Sequence, residues 1–382
     1  DSATTITLSD SGSTVDGSGS SGVTVDGSTI TLTTGGTYVV SGTLSDGEIV
    51  VNTADATEDA VRLVLDGADI TNADGPAVDV QDAGDMILVL AKGSENALTD
   101  GTTYADTSEN APTATLFSSD DLTITGTGSL SVTGNANDAI SSKNGLVITG
   151  DTTISVTAAD DGIRGKDYLV IESGTLTVDA GGDGLKSTED TDEAQGFIAL
   201  GAATVTITSG DDGVQAATDI TVKDTDLTIT AGGGSADAVS DGGMGGGMPG
   251  QEQSTTQDQD ASGSSDDSSS PKGMDAAVAM SIDSGTVEID AADEGLQAAA
   301  HTITARTATN HSGDDGINAS NSSLVIEGYE DADSESDDGS VYTQSSGTVT
   351  IDNVYSDGLD SNGSAHVTGG LLNLVFHDDQ RD

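Results

Sequence analysis

Apolar and polar residues alternate along the chain in short runs that come in pairs: Leu146/Ile148 then Ile154/Val156, Leu169/Ile171 then Leu176/Val178, Ile220/Val222 then Leu227/Ile229, and Met280/Ile282 then Val287/Ile289. A period of two over so few residues marks a strand with one buried face. Glycine-containing corners such as "ESGTL" at 172–176 and "DSGTV" at 283–287 let the chain bend between the strands of a pair.

Between the pairs an acidic phrase recurs in eight copies: "NDAISSK" from Asn137, "DDGIRGK" from Asp160, "GDGLKST" from Gly182, "DDGVQAA" from Asp211, "ADAVSDG" from Ala236, "DEGLQAA" from Asp293, "DDGINAS" from Asp314 and "SDGLDSN" from Ser356. Their Gly or Ala positions, 139, 162, 184, 213, 238, 295, 316 and 358, stand 21 to 29 residues apart where nothing is inserted. Such a period belongs to a solenoid. The expected fold is all-β, a right-handed parallel β-helix of about 21–25 residues per turn, its hand taken by analogy with most such folds. One coil cannot bury its apolar face, so stability has to come from stacking at about 4.8 Å per turn.

The organisation follows from the pattern. Residues 1–20 give a strand, "ATTITL", and a flexible linker that either caps its own solenoid or reaches a neighbour. Residues 21–115 are strand-rich first coils without the acidic phrase, and 116–382 carry the Asp-Gly repeats. Three segments leave the coil as loops: 187–196, the low-complexity 241–275 and the acidic 329–342. "GGLLNLVF" reads as the last apolar strand before the charged "HDDQRD".

Composition narrows the chemistry. With 66 acidic residues, 10 basic ones and a formal charge of -56, nucleic acid and anionic membranes are excluded as partners. Cysteine is absent, which removes disulfides and thiolate metal sites. The chain starts at Asp1 and contains no apolar stretch of about 18 residues, so a mature secreted or surface protein without a membrane span is expected. Nine aromatics (3 Phe, 6 Tyr, no Trp) and 51 Gly fit strands and tight turns better than an aromatic core.

Carboxylates stacked at equivalent corners would repel by about 0.9 kcal/mol per neighbouring pair even in bulk water. A divalent ion relieves that, and Ca²⁺ takes oxygen ligands of the kind two stacked turns supply. The expected ligands are Asp138, Asp160, Asp161, Asp183, Asp211, Asp212, Asp237, Asp293, Glu294, Asp314, Asp315 and Asp357. The alternative is that Asp-Gly is good turn chemistry and the charge keeps the protein soluble. "GGDGL" at 181–185 lacks the tandem nine-residue spacing of the calcium-binding nonapeptide.

In "PTATLFSSDDLTITGTGSLSVTGN" (112–135), "DAISSKNGLVITG", "AADDGIRGKDYLVIESGTLTV", "GGDGLKST", "SGDDGVQAATDITV", "GTYVVSGTLSDGEIVV" and "GGMGGGMPG", the chain resembles the secreted bacterial family of carbohydrate-binding-domain-containing proteins. The resemblance implies a right-handed parallel β-helix of pectate-lyase-like shape, stacked calcium ions, and binding of acidic or cellulosic polysaccharides without established catalysis. Unusually acidic insertions set this chain apart and leave the carbohydrate specificity open.

Three functions are weighed. A polysaccharide binder would bridge uronates through bound ions, or use a basic strip of Lys143, Arg164, Lys166 and Lys186; equally, these cations merely offset neighbouring aspartates. Extracellular fibre or matrix subunits would add the N-terminal strand to a neighbour, with calcium relieving charge between copies. A pectate-lyase-like enzyme would need calcium and a base such as Lys166 or Arg164, but few cations and no aromatic subsites argue for a non-enzyme. His301, His311, His366 and His377 show no metal spacing and are expected at the surface or an edge.

Overall fold

The computed structural model describes residues 3–53, 60–108, 111–237, 270–303, 307–321, 337–353 and 356–376. Among them are 33 strands and two single-turn 3₁₀ segments, with no α-helix. Pairing is parallel, each strand meeting its equivalent one turn later, except where Thr4–Leu8 meets Thr14–Asp16 and Val23–Asp26 meets Thr29–Leu32.

Three ladders result. The first runs through Glu48–Asn52, Val78–Asp82, Ala114–Ser118, Asp138–Ser142, Ile163–Gly165, Leu185–Ser187, Val214–Ala216 and the start of Met274–Ile282. It continues through the start of Leu296–Ile303, then Ile317–Ala319 and Leu359–Ser361. Alternation turns one residue in two inward, so Ile140, Ile163, Leu185, Val214, Met274 and Leu296 form one buried column. Leu146, Leu169, Ile198, Ile220 and Met280 form another in the second ladder, and Ile154, Leu176, Val205, Leu227 and Val287 a third. Each buried aliphatic side chain contributes about 1.5–3 kcal/mol, and no single turn collects enough of them to stand alone. Between the second and third ladders Gly174 and Gly285 adopt φ of 110° and 97°, as the glycine corners require.

The glycine of the acidic phrase has a different reason. A Cβ at Gly162, Gly184, Gly213 or Gly273 would overlap Val178, Ile207, Ile229 or Ile289 of the third ladder, so the chain enters the first ladder against the core with no room for a side chain.

Several expectations are corrected. The fifth phrase, around Asp237, is not a rung: Ser235–Asp237 is a 3₁₀ turn, and the Met274–Ile282 strand, led by Lys272-Gly273, pairs with Val214–Ala216. The excursion therefore ends before 274, and Asp275 is a strand residue. Likewise Val341–Gln344 is a strand with Tyr342 fully buried, so the acidic insertion stops short of 341; its residues 329–336 lie outside those described. Of the expected loop 187–196, Ser187 belongs to the strand Leu185–Ser187, and 188–196 connect it to Phe197–Ser209. Thr4–Leu8 pairs with Gly36–Leu44 of its own chain, the capping alternative. His301 is not at the surface but 1 % exposed, in register between Met280 and Tyr342, and burial pushes its pKa down to about 4. His311 and His366 are at the surface as expected, and His377 lies outside the described residues.

Candidate functional site

Stacking places one residue per turn directly before the first ladder. From the register and corner hydrogen bonds, that column reads Asp138, Asp161, Asp183, Asp212, Lys272, Glu294, Asp315 and Asp357. Asp161, Asp183 and Asp212 are 3 %, 2 % and 4 % exposed, because the corner glycine that follows pulls the chain against the core. Asp357, by contrast, is exposed.

The two oxygens of a column carboxylate have separate tasks. Oδ1 accepts the backbone N–H of the next rung: Asp161 from Asp183 at 3.1 Å, Asp183 from Asp212 at 2.9 Å, Asp212 from Lys272 at 2.8 Å, and Asp315 from Asp357 at 2.9 Å. Oδ2 meets a cation where one is built in. Arg164 Nη2 lies 2.8 Å from Asp138 Oδ2, and its Nη1 lies 3.9 Å from Asp161 Oδ2. Lys186 Nζ lies 2.6 Å from Asp183 Oδ2 and 3.4 Å from Asp161 Oδ2. Turn chemistry thus accounts for one oxygen of Asp161, Asp183, Asp212 and Asp315; Lys186 also reaches Asp161 Oδ1 at 3.4 Å, and Asp212 Oδ2 accepts from Gln215 Nε2 at 3.3 Å.

Further along, the supply of cations is thinner. Lys272 interrupts the column, 3.5 Å from Glu294 Oε2 and 3.9 Å from Asp293 Oδ2. Glu294 Oε2 is buried with no hydrogen bond. Two sets of carboxyl oxygens gather within 4.8 Å of one another: Asp183, Asp211 and Asp212, and Asp293, Glu294 and Asp314. Burial, opposed by Lys186, pushes Asp183 up to about 6, and burial pushes Asp212 up to about 7. Burial, and the hydrogen bond its carboxyl donates to the Asp293 carboxylate, push Glu294 up to about 8. Asp138, wholly buried, is raised to about 7 despite Arg164. Oxygen-only donor sets fit a hard cation, whose charge would displace the protons that burial favours on Asp183, Asp212 and Glu294.

The expected ligands therefore divide. Asp183, Asp211, Asp212, Asp293, Glu294 and Asp314 come together in the two clusters. Asp138 and Asp161 are engaged by Arg164 and Lys186, and Asp183 of the first cluster also holds Lys186; Asp160 sits one residue ahead of the column, its carboxyl raised by burial. Asp315 and Asp357 are linked to each other, and Asp237 lies off the column.

The expected basic strip divides too. Lys143, Arg164 and Lys166 line one cavity of about 150 Å³, whereas Lys186 turns to the acidic column. Arg164 also donates to Thr113 Oγ1 at 3.0 Å and Ser141 Oγ at 3.3 Å. Lys166 holds Glu189 at 2.6 Å, and Lys143 Nζ sits 5.4 Å above the ring of buried Phe117.

Sequence reasoning missed Lys272 and Phe117. The signal for Lys272 was present in "PKGMDAA", which repeats the residue-Gly-aliphatic step of the phrase and precedes a strand pair at the usual distance. Phe117 gave none, since nothing in the chain says that residue 117 lies under Lys143.

A family model for carbohydrate-binding domain-containing proteins matches residues 26–316. A carbohydrate-binding domain-containing protein of Acetivibrio thermocellus is 39 % identical over 131 residues, 34 % of this chain. The match spans 45 % of that relative, less than half its length. Among solved structures, a polysaccharide lyase-like protein from C. thermocellum, in a gadolinium derivative, is similar with a TM-score of 0.58 and 31 % identity, over 61 % of this chain and 92 % of that one.

Proposed function

Because the chain belongs to the carbohydrate-binding domain-containing protein family, we propose that it is a secreted, non-enzymatic, calcium-binding protein of right-handed parallel β-helix fold that binds acidic polysaccharide. The observation that carries this reading is the pair of three-carboxylate clusters, Asp183/Asp211/Asp212 and Asp293/Glu294/Asp314. A protein of charge -56 approaches a polyuronate only if cations stand between them. Calcium in those clusters has coordination positions left for water or a glycan carboxylate, since one oxygen from each of three carboxyls falls short of a shell of about 6 to 8. The gadolinium derivative of the similar C. thermocellum structure is in keeping with hard-cation sites in such a coil. Catalysis is not part of the proposal: Arg164 is tied to Asp138, Thr113 and Ser141, and Lys166 to Glu189.

The test is calorimetric titration of the chelator-stripped protein with Ca²⁺, followed by pull-down on insoluble polygalacturonate with and without chelator. Saturable calcium uptake and chelator-sensitive retention are expected. Absence of uptake would remove the reading.

Self-association is a second reading with one observation in its favour. Val367, Leu371, Leu374 and Val375, on the last described strands, are 37–52 % exposed. Sedimentation over a range of concentrations checks it.

A further inference from the structure

The chain owns ten Lys and Arg residues against 66 acids. Three of those ten, Lys143, Arg164 and Lys166, line a single cavity, and none of its described lining residues is acidic. The neighbouring cavities on the same side of the coil follow the composition instead, one lined by Glu48, Asp74, Asp79 and Asp106 and the other by Asp106. Register explains the gathering. Ser141 and Arg164 are cross-strand neighbours, and the backbone of Lys166 bonds to Ser142, so consecutive turns bring their cations to one place.

We infer that this cavity is a metal-independent subsite for one uronate ring of an acidic glycan, its carboxylate received by Lys143 and Lys166. The inference rests on the reading that the chain binds acidic polysaccharide, and adds a site that calcium does not form. Arg164 is the fixed wall, held by Asp138, Thr113 and Ser141. Lys143 has no carboxylate within ion-pair distance among the described residues; its ammonium sits over the face of Phe117, with Asp79 as a more distant electrostatic neighbour. Lys166 is half exposed, so an arriving carboxylate can share it with Glu189. Phe117 gives an apolar floor, and exposed Thr188 lines the same space, while the Ser142 hydroxyl is engaged by Asp120 and Asn144. About 150 Å³ suits one ring, well under the 300–1,000 Å³ of pockets that enclose larger ligands. The rest of the polymer must run outside it.

The experiment is calorimetry of the full chain with trigalacturonate, in chelator and in calcium, repeated with cellotriose as the neutral competitor. Trigalacturonate is expected to bind in chelator, and Lys143→Gln/Lys166→Gln to weaken that binding about tenfold or more. Lys92→Gln, an exposed lysine away from the cavity, should leave it unchanged. Unaltered melting and calcium stoichiometry in the double variant would show that the coil is intact. Wild-type affinity in the double variant, or displacement by cellotriose, overturns the inference. Binding seen only in calcium and indifferent to both lysines overturns it while leaving calcium bridging in place; no binding under any condition overturns both.

Discussion

The corner that leads into the first ladder is built in two ways along one coil. In the early turns it consists of Gly47, Pro76 and Ala114, whereas from Asp138 onward the same column holds Asp161, Asp183, Asp212, Glu294, Asp315 and Asp357, broken once by Lys272. Parallel stacking continues without interruption across the change, so the corner does not need a carboxylate to close. What the acids add is charge in a defined line. Within that line a second contrast appears: Arg164 and Lys186 supply cations to Asp138, Asp161 and Asp183, while the Asp293/Glu294/Asp314 set has only Lys272 at its upper side. Side-chain cations thus meet the upstream acids, while among the described residues the downstream set of three carboxyls has one lysine beside it.

The largest effect is expected from breaking a built-in pair. Arg164→Gln strands the wholly buried Asp138, and should cost on the order of 3 kcal/mol at pH 8 by chemical denaturation. The cost should shrink toward pH 5, where Asp138 takes up a proton. Adding Asp138→Ala, which copies Ala114 one turn earlier, should recover most of it. If the single variant is as stable as the parent, the upstream column is not held by its own cations.

Calcium comes next. At a concentration about 100 times Kd each site stabilises by about 2.7 kcal/mol, so chelator should lower Tm by several degrees. Hydrogen exchange should show the loss of protection concentrated around the two clusters, in 211–216 and 293–303, rather than in 138–166. An equal loss in 138–166 would erase the contrast.

The pH dependence of the metal-free protein is smaller and has a definite sign. Asp183, Asp212 and Glu294 have folded pKa values of about 6, 7 and 8, above their ordinary 3.8 to 4.5. The folded state therefore binds more protons than the unfolded one between roughly pH 4 and 8, and stability falls as pH rises through that window. Thermal melts at pH 5 and pH 8 should differ in that direction, and calcium should raise Tm more at pH 8, where it has fewer protons to displace.

The last change extends the acidic column across its one break. Lys272→Asp removes the ammonium beside Asp293 and Glu294 and adds like-charge neighbours, so it should lower metal-free stability by more than the ~1 kcal/mol of one such neighbour. Calorimetry should show calcium uptake rising, because Asp212 and Glu294 would then have an acidic rung between them.

Legibility followed the range of the interaction. Period-two alternation reports which face of a strand is buried, and the spacing of Gly162, Gly184, Gly213, Gly295 and Gly316 reports the length of a turn, because both are written by neighbours in sequence. The Asp237 phrase misled for the same reason. It matches locally, but the core needs an aliphatic strand right after the glycine, and Met274–Ile282 provides that beyond the low-complexity segment. His301 looked like a surface residue because nothing adjacent to it tells that Met280 and Tyr342 stack above and below.

By itself, then, the sequence determined an all-β chain of stacked turns with acids at a recurrent corner, since composition and periodicity are local properties. Only the tertiary structure decided which acids meet, which are already paired with Arg164 and Lys186, that Lys272 takes a rung, and that three scarce cations line one cavity with Phe117. Those outcomes depend on distances between side chains about 20 to 60 residues apart, and stacking at about 4.8 Å per turn is what turns such separations into contact.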